Sequence, residues 1–208
     1  MVAPQPAPIE RRPRRREDPA TRRVQIMRAA RTCFAGAGFR ATTVDHIATE
    51  AGVSVGLLYR VFGSKMAIVE AIILEQVEAQ SEQAFKIIAS SPRSGIDREM
   101  VISSLISDEL DLQTYALMFE TAAEACRNDH LRLFISERWA ELHVTLIDRL
   151  RASGFEQERA ERMFIELEAI GAVLSGAIIQ SVTRSGSIVA EAVETTFRAI
   201  GSGLQPIA

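Results

Sequence analysis

The fold is decided by residues 47–62, which read IATEAGVSVGLLYRVF. Two short helices that cross closely need a small side chain at their contact, and Ala48 provides one. Four residues later, Gly52 can adopt the positive φ of a tight turn without Cβ strain. The apolar positions that then face inward on both helices are Ile47, Ala51, Val53, Leu58 and Val61. This spacing predicts a helix-turn-helix, in which the second helix enters the major groove of DNA.

Charge is distributed unevenly along the chain. Residues 1–65 carry 12 Lys and Arg against five Asp and Glu, a net charge of +7, whereas residues 66–208 carry a net charge of −10. A basic first third indicates one surface suited to a polyanion. Residues 1–17 hold four prolines and a cluster of five arginines, which predicts a disordered basic arm. The arm either contacts DNA or serves as a solubilising tail.

The remaining pattern has a period of 3.6 residues, without sustained period-2 alternation. We therefore predict an all-α fold of about nine helices. A three-helix helix-turn-helix domain is expected at residues 18–65, followed by a helical regulatory and dimerisation domain at 66–208. A long fourth helix, at about 64–89, connects the two domains. The later helices are expected at 96–110, 112–126, 130–152, 157–183 and 187–202.

Local signals set the ends of the first helices. Asp18-Pro19 begins the first helix, which carries an apolar stripe and ends at Gly36 and Gly38. Residues 42–45, Thr-Thr-Val-Asp, predict a capping box in which Asp replaces the usual Glu. Ser54 is expected to cap the third helix. The stripe of the first helix is Ile26, Ala30, Cys33 and Ala37.

Several classes of protein are disfavoured by the sequence. No apolar run reaches the ~18 residues that a membrane span needs, and the arginine-rich N-terminus is not a secretory signal. Cys33 and Cys126 lie far apart in helical patterns, so we expect them to be buried thiols in a reducing cytoplasm rather than a disulfide. No phosphate loop, nucleophile elbow or paired catalytic constellation is present, and the three histidines are not at metal-ligand spacing, so we predict neither an enzyme, nor a cofactor, nor a metal site. One alternative is that Glu120, Glu124 and His143 converge on a cation.

The first third of the chain resembles the N-terminal signature of TetR-family regulators over about residues 20–75. The matching residues are Thr42-Thr43-Val44, Ile47-Ala48, Ala51-Gly52-Val53-Ser54, Gly56, Leu58-Tyr59, Phe62 and Ser64-Lys65. The resemblance implies a homodimer that binds a palindromic operator and is released by a small ligand. The chain departs from the family's pattern where Arg60 and Val61 replace a second aromatic residue and a histidine.

Candidate DNA-binding residues follow from chemistry as well as from the resemblance: Thr43, Ser54, Val55, Gly56, Leu57, Tyr59, Arg60 and Lys65. Arg60 can read a guanine edge bidentately or contact a phosphate. Tyr59 can donate to a phosphate or sit in a core. Lys65 begins a helix, where the macrodipole disfavours a cation, so either a bound phosphate or a solvated surface explains it. Thr43 and Ser54 stand at helix N-termini, as phosphate ligands or as plain caps.

The second domain is expected to supply an apolar ligand site and a dimer interface. Bulky side chains suited to either a ligand cavity or an ordinary core are Tyr115, Met118, Phe119, Phe134, Trp139 and His143. Two apolar stripes follow residues 157–183, so one stripe needs a partner beyond its own core. The expected dimer residues, which an intramolecular core also explains, are Phe164, Gly171, Ser175, Val182, Val189, Val193 and Phe197.

The sequence thus favours a ligand-responsive transcription regulator, most readily a repressor, that binds double-stranded operator DNA and a small hydrophobic effector. One alternative is a small-molecule carrier or enzyme whose helical hairpin is coincidental. That alternative gives no reason for a charge of +7 in the first 65 residues. A nucleoid-type architectural protein is a further alternative, and it leaves the acidic second domain without a role.

Overall fold

The computed structural model describes residues 18–92, 95–97 and 112–183, and every regular element in these ranges is an α-helix. The predicted all-α fold class is confirmed. Residues 1–17, most of the predicted helix 96–110 and the predicted helix 187–202 lie outside the described residues. The described helices are α1 (Pro19–Ala41), α2 (Val44–Glu50), α3 (Val55–Phe62), α4 (Lys65–Ser90), α5 (Leu112–Ala125), α6 (Asp129–Ala152) and α7 (Gln157–Thr183).

α1 begins and breaks at the residues that the sequence indicates. Pro19 occupies the first turn after Asp18, although the Asp18 side chain makes no capping hydrogen bond. Gly38 has φ 77° and ψ 166°, so the helical path is interrupted there and resumes for a few residues. The predicted apolar stripe is wrong at its end, because Ala37 is exposed and Phe34 is buried in its place.

The N-terminus of α2 is capped one residue later than the sequence pattern suggests. The Thr43 hydroxyl accepts from the backbone N–H of His46 at 3.2 Å, and His46 Nδ1 accepts from the backbone N–H of Thr43 at 3.5 Å. His46 therefore completes the capping box, and the predicted partner Asp45 does not. Thr42 is buried, and its hydroxyl donates to the carbonyl oxygen of Gly38 at 2.8 Å.

The described residues divide into two compact units. The first comprises residues 18–73 and 112–129, and the second comprises residues 74–92, 95–97 and 130–183. In the first unit, α1 packs against α2, α3 and α5, and α2 packs against α3. Its most deeply buried side chains include Ile26, Ala30, Phe34, Ile47, Leu58, Ile68 and Ile72. The predicted boundary at residue 65, between a DNA-binding domain and a regulatory domain, stays a prediction.

The second unit is built on an aliphatic core shared by α4, α6 and α7. The buried members are Ala84, Ile87, Ile88, Ile96, Leu146, Ile147, Leu150, Ala160, Met163, Leu167 and Ile170. Met163, Leu167 and Ile170 follow each other at helical spacing on α7, as expected for its inward stripe. Within the described part of the chain, no helix has the length and apolar character that crossing a bilayer requires.

Candidate nucleic-acid interface

The turn between α2 and α3 fixes how the two helices cross. Gly52 adopts φ 64°, and the backbone N–H of Val53 donates to the carbonyl oxygen of Ala48 at 2.9 Å. Ala48 itself is buried at the crossing. Gln25 of α1 adds a tie from outside the motif, since its Nε2 donates to the carbonyl oxygen of Ala51 at 2.8 Å. The predicted turn geometry is therefore present, supported by a glutamine that the sequence pattern did not reveal.

The apolar residues of the motif face inward as predicted. Ile47, Ala51 and Leu58 are buried, whereas Val53 and Val61 are partly buried. Burying these faces leaves the opposite side of α3 to solvent, because only one stripe of a short helix can meet the core.

The exposed side of α3 carries Gly56, Tyr59 and Arg60. Tyr59 is 49% exposed, so the alternative of a core tyrosine is wrong. Val55 and Leu57, which we also predicted to face outward, are partly buried. The surface that α3 offers thus centres on a phenol, a guanidinium and a glycine. These groups can donate hydrogen bonds or allow a close approach of another backbone.

Two hydroxyl groups stand at the N-termini of the motif helices. The Ser54 hydroxyl accepts from the backbone N–H of Leu57 at 3.2 Å. The Thr43 hydroxyl accepts in the same way from the backbone N–H of His46 in α2. Both side chains are therefore caps, and both are exposed. A hydroxyl that accepts one hydrogen bond keeps its own O–H, which can still donate to an anion.

Lys65 is bound into the first unit. Its Nζ donates to the carbonyl oxygens of Phe39 at 2.7 Å and Thr42 at 3.0 Å. These carbonyls follow the break in α1, where backbone oxygens lack helical partners and attract a cation. The alternative of a solvated surface lysine is wrong. An ammonium group has three N–H donors, so the predicted phosphate contact stays a prediction.

The basic helix α1 lies beside the motif. The guanidinium carbon of Arg23 sits 4.5 Å from the centroid of the Phe62 ring, a cation–π contact between α1 and the end of α3. Our sequence reasoning did not single out Arg23. The net charge of the first 65 residues pointed to this region, but the pairing with Phe62 joins residues too far apart in sequence for a local pattern to reveal.

Comparison with known proteins identifies the family. Residues 26–72 match the family described as bacterial regulatory proteins, tetR family. Over 144 residues the chain is 30% identical to the HTH-type transcriptional repressor Rv1474c of Mycobacterium tuberculosis, a match that covers 69% of this chain and 70% of that protein. The chain belongs to the TetR family.

Other similarities of this TetR-family protein agree. It is 46% identical over 55 residues to the HTH-type transcriptional repressor KstR2 of Mycolicibacterium smegmatis, a match that spans only 26% of this chain and 27% of that relative. Among solved structures, GusR of Salmonella enterica superposes with a TM-score of 0.60 at 28% identity, covering 91% of this chain and 97% of that chain.

The predicted ligand-binding residues of this TetR-family protein fall in both units. Tyr115, Met118 and Phe119 lie on α5 in the first unit, and Phe134, Trp139 and His143 lie on α6 in the second. All six are partly buried. The His143 ring stacks on Phe164 with centroids 4.5 Å apart, and its buried Nε2 has no hydrogen-bond partner among the residues that the structure describes.

The predicted dimer residues are only partly described. Phe164 packs against the core of the second unit and stacks on His143, so at least one face of its ring is used within the chain. Gly171 and Ser175 are partly exposed, and the Ser175 hydroxyl donates to the carbonyl oxygen of Gly171 at 2.9 Å. The side chain of Val182 and residues 189, 193 and 197 lie outside the described residues.

A different stripe of α7 is the exposed apolar one. It consists of Ile165, Ala169, Ala172 and Ile179, and Ile165 is 66% exposed. The stripe that we predicted for the dimer interface is only partly exposed at Phe164, Gly171 and Ser175, and its role in dimerisation stays a prediction.

Both cysteines are free thiols; Cys33 is partly buried and Cys126 is exposed, so the prediction of a buried thiol is wrong for Cys126. Burial and the negative charge of Glu50 raise the pKa of the Cys33 thiol, so it is protonated at neutral pH. Across the described residues, no group of His, Cys, Asp and Glu is placed to hold a metal ion.

Proposed function

We propose that this chain is a ligand-responsive transcriptional repressor that binds a palindromic operator as a homodimer. The observation that carries the proposal is the exposed side of α3, where Tyr59 and Arg60 project from a helix that a glycine turn, Gln25 and Arg23 hold in place. A rigid helix with exposed donors suits insertion into a major groove. The repressor names of the M. tuberculosis and M. smegmatis relatives support the direction of regulation.

Within the operator complex, the exposed side chains divide into two roles. Arg60 is assigned to a base edge, since its guanidinium can bind the two acceptors of guanine at once. Tyr59, Thr43, Ser54 and Lys65 are assigned to phosphates, which fix the register of the protein without reading sequence. The exposed Gly56 allows the helix backbone to approach the floor of the groove.

Dimerisation is assigned to the exposed stripe of α7 together with residues 187–202. Ile165 and Ile179 flank Ala169 and Ala172, so a second helix can approach closely at the small residues and bury the larger ones. A face of this kind is unfavourable in water and favours a second copy of the chain.

The effector is proposed to be a hydrophobic or amphipathic small molecule. The half-buried aromatic residues Phe134 and Trp139 of α6 provide apolar surface. Nε2 of His143 is buried without a hydrogen-bond partner in the described ranges, and it provides one polar group that a ligand hydrogen bond would satisfy. Binding there would weaken operator affinity, with a coupling of about 1–3 kcal/mol that must be reciprocal.

The test is selection of genomic fragments by the full-length chain, read by sequencing, for the unmodified protein and for Arg60→Ala. We expect an inverted repeat from the unmodified protein and a changed preferred sequence from the variant. Glu158→Ala, which alters an exposed acid on α7, is the matched control and should select the same repeat. Equal binding to all fragments would contradict the proposal, and sedimentation as a monomer at micromolar concentration would contradict the dimer.

A further inference from the structure

The corner between α1 and α2, residues 38–42, is held by side chains from two other helices. The backbone N–H of Phe39 donates to Oε1 of Glu120 in α5 at 2.7 Å. The carbonyl oxygen of the same residue accepts from Lys65 of α4 at 2.7 Å. Both backbone polar groups of Phe39 are thus bound by charged side chains, which make shorter and stronger hydrogen bonds than neutral ones.

The conformation of Gly38 makes this contact possible. Its φ of 77° and ψ of 166° turn the chain out of the helix and direct the next N–H towards α5. A Cβ at Gly38 would lie 2.9 Å from Oε1 of Glu120, closer than real contacts allow. The position therefore favours glycine for its backbone angles, and a Cβ there would in addition push the Glu120 carboxylate away from Phe39.

A second carboxylate follows one turn along α5. Oε2 of Glu124 lies 3.2 Å from Nε of Arg40 and 3.4 Å from Nη2 of Arg127, and the Glu124 side chain is only 11% exposed. Residues four apart share one face of a helix, so Glu120 and Glu124 both contact the corner at residues 38–42. The corner leads directly into Thr43, the cap of α2.

We propose that Glu120 and Glu124 are positioning residues for DNA binding, acting through Phe39 and Arg40 to set where α2 begins. The inference rests on the proposed operator binding. A hydrogen bond of 2.7 Å is lost once the atoms separate by about another ångström, so a small displacement of α5 releases the corner.

The charge of these acids makes them distinguishable from ordinary packing. A carboxylate in a unit that binds a polyanion lowers affinity for every duplex, whereas a fixed corner raises affinity for the matching duplex alone. Together the two effects increase the ratio of operator binding to random binding. A residue that merely stabilises the fold would change both affinities by the same factor.

The experiment compares Glu120→Gln with Glu120→Asp in the full-length protein. Gln keeps an acceptor at the same reach and removes the charge, whereas Asp keeps the charge and shortens the reach. For Glu120→Asp we expect roughly tenfold faster hydrogen exchange of the Phe39 amide and roughly tenfold weaker binding to the selected operator, with random-duplex affinity within about twofold. For Glu120→Gln we expect near-normal exchange, near-normal operator binding and equal or higher random-duplex affinity.

The proposal is overturned if Glu120→Asp matches the unmodified chain, or if it lowers both affinities by one factor. Should Glu120→Asp not fold, a double-mutant cycle of Glu124→Gln and Arg40→Gln replaces it. Each single change should then lower the binding ratio, and the double change should be no worse than either; simple additivity would overturn the proposal. If the unmodified chain binds no duplex specifically, the proposed function fails, while Phe39 exchange still tests the contact.

Discussion

Both units of the chain have a buried apolar core, and they differ in the polar contacts that are added to it. In the first, charged and amide side chains bind backbone groups far away in sequence, at 2.7–2.8 Å for Gln25, Lys65 and Glu120. In the second, the described side-chain contacts to distant backbone groups are longer, at 3.4 Å from Glu166 to Ile96 and 3.3 Å from Arg159 to Pro92. Aliphatic packing accepts small shifts, whereas hydrogen bonds fix distance and angle. The first unit therefore adds short polar contacts to its apolar core, and these contacts fix the backbone around the helix-turn-helix.

The largest expected effect lies in the aliphatic core. Leu150 is fully buried, so Leu150→Ala should lower the free energy of unfolding by about 2–5 kcal/mol. Val144, on the same helix and 62% exposed, gives the control: Val144→Ala should change it by less than about 0.5 kcal/mol. Urea denaturation measures both. The comparison between the units breaks if Leu150→Ala leaves stability intact and instead alters operator preference.

The next prediction compares two glycines with positive φ, Gly38 and Gly154, to separate backbone strain from side-chain contact. Gly38→Ala should cost about 3 kcal/mol or more, because it adds both strain and a clash with Glu120. Gly154→Ala in the second unit should cost only about 1–2 kcal/mol, since nothing lies within 4 Å of its added Cβ.

Gly36→Ala is the control for both variants, because Gly36 is helical and no packing neighbour in the described residues lies within 4 Å of its added Cβ. We expect it to raise stability by about 0.5–1 kcal/mol. Melting temperatures of the three variants give the order. Equal losses of stability for Gly38→Ala and Gly154→Ala would mean that contact with Glu120 adds nothing to the backbone strain at position 38.

Lys65→Met keeps the apolar stem and removes the ammonium group from the carbonyls of Phe39 and Thr42. We expect a loss of about 1–3 kcal/mol in unfolding free energy, and none for Lys86→Met, which changes an exposed lysine of the same helix. DNA binding should also lose about one unit of salt slope per half-site. An unchanged slope with reduced stability would restrict Lys65 to its backbone contacts.

The smallest expected effect is the pH dependence of an exposed ion pair in the second unit. The hydrogen bond from Arg149 lowers the pKa of Glu82 below its ordinary value of 4.5. A carboxylate with a lowered pKa in the folded state stabilises the fold above pH 4.5, and this stabilisation is lost as the pH falls through the lowered pKa. Glu82→Gln should therefore lower the melting temperature slightly near neutral pH and not at pH 2. A constant difference at every pH would exclude this cause.

Local signals in the sequence predicted the helices well. Pro19, Gly52, Ser54 and Gly63 each act within a few residues, and the helices of the motif begin and end where these residues indicate. The capping box failed by one residue, because Thr42 and Thr43 compete for the cap and only the structure shows that Thr42 is buried.

Contacts between distant residues could not be predicted in the same way. Phe39 and Glu120 are 81 residues apart, and Lys65 reaches 26 residues back to Phe39. Glu120 and Glu124 attracted notice as candidate cation ligands with His143, yet here they bind a backbone N–H and two arginines. A single sequence carries no signal for such pairs.

The first unit is discontinuous in the chain, and this has a consequence for its synthesis. Its helices α1 to α3 leave the ribosome early, but α5 follows only after residues 74–111 have been made. At typical elongation rates this delay is on the order of several seconds. Until then the backbone N–H of Phe39 and the side of α1 that packs on α5 lack their partners. A nascent fragment ending near residue 75 would therefore contain the whole helix-turn-helix but lack the contact between Glu120 and Phe39. We expect such a fragment not to select an operator before the rest of the chain is made.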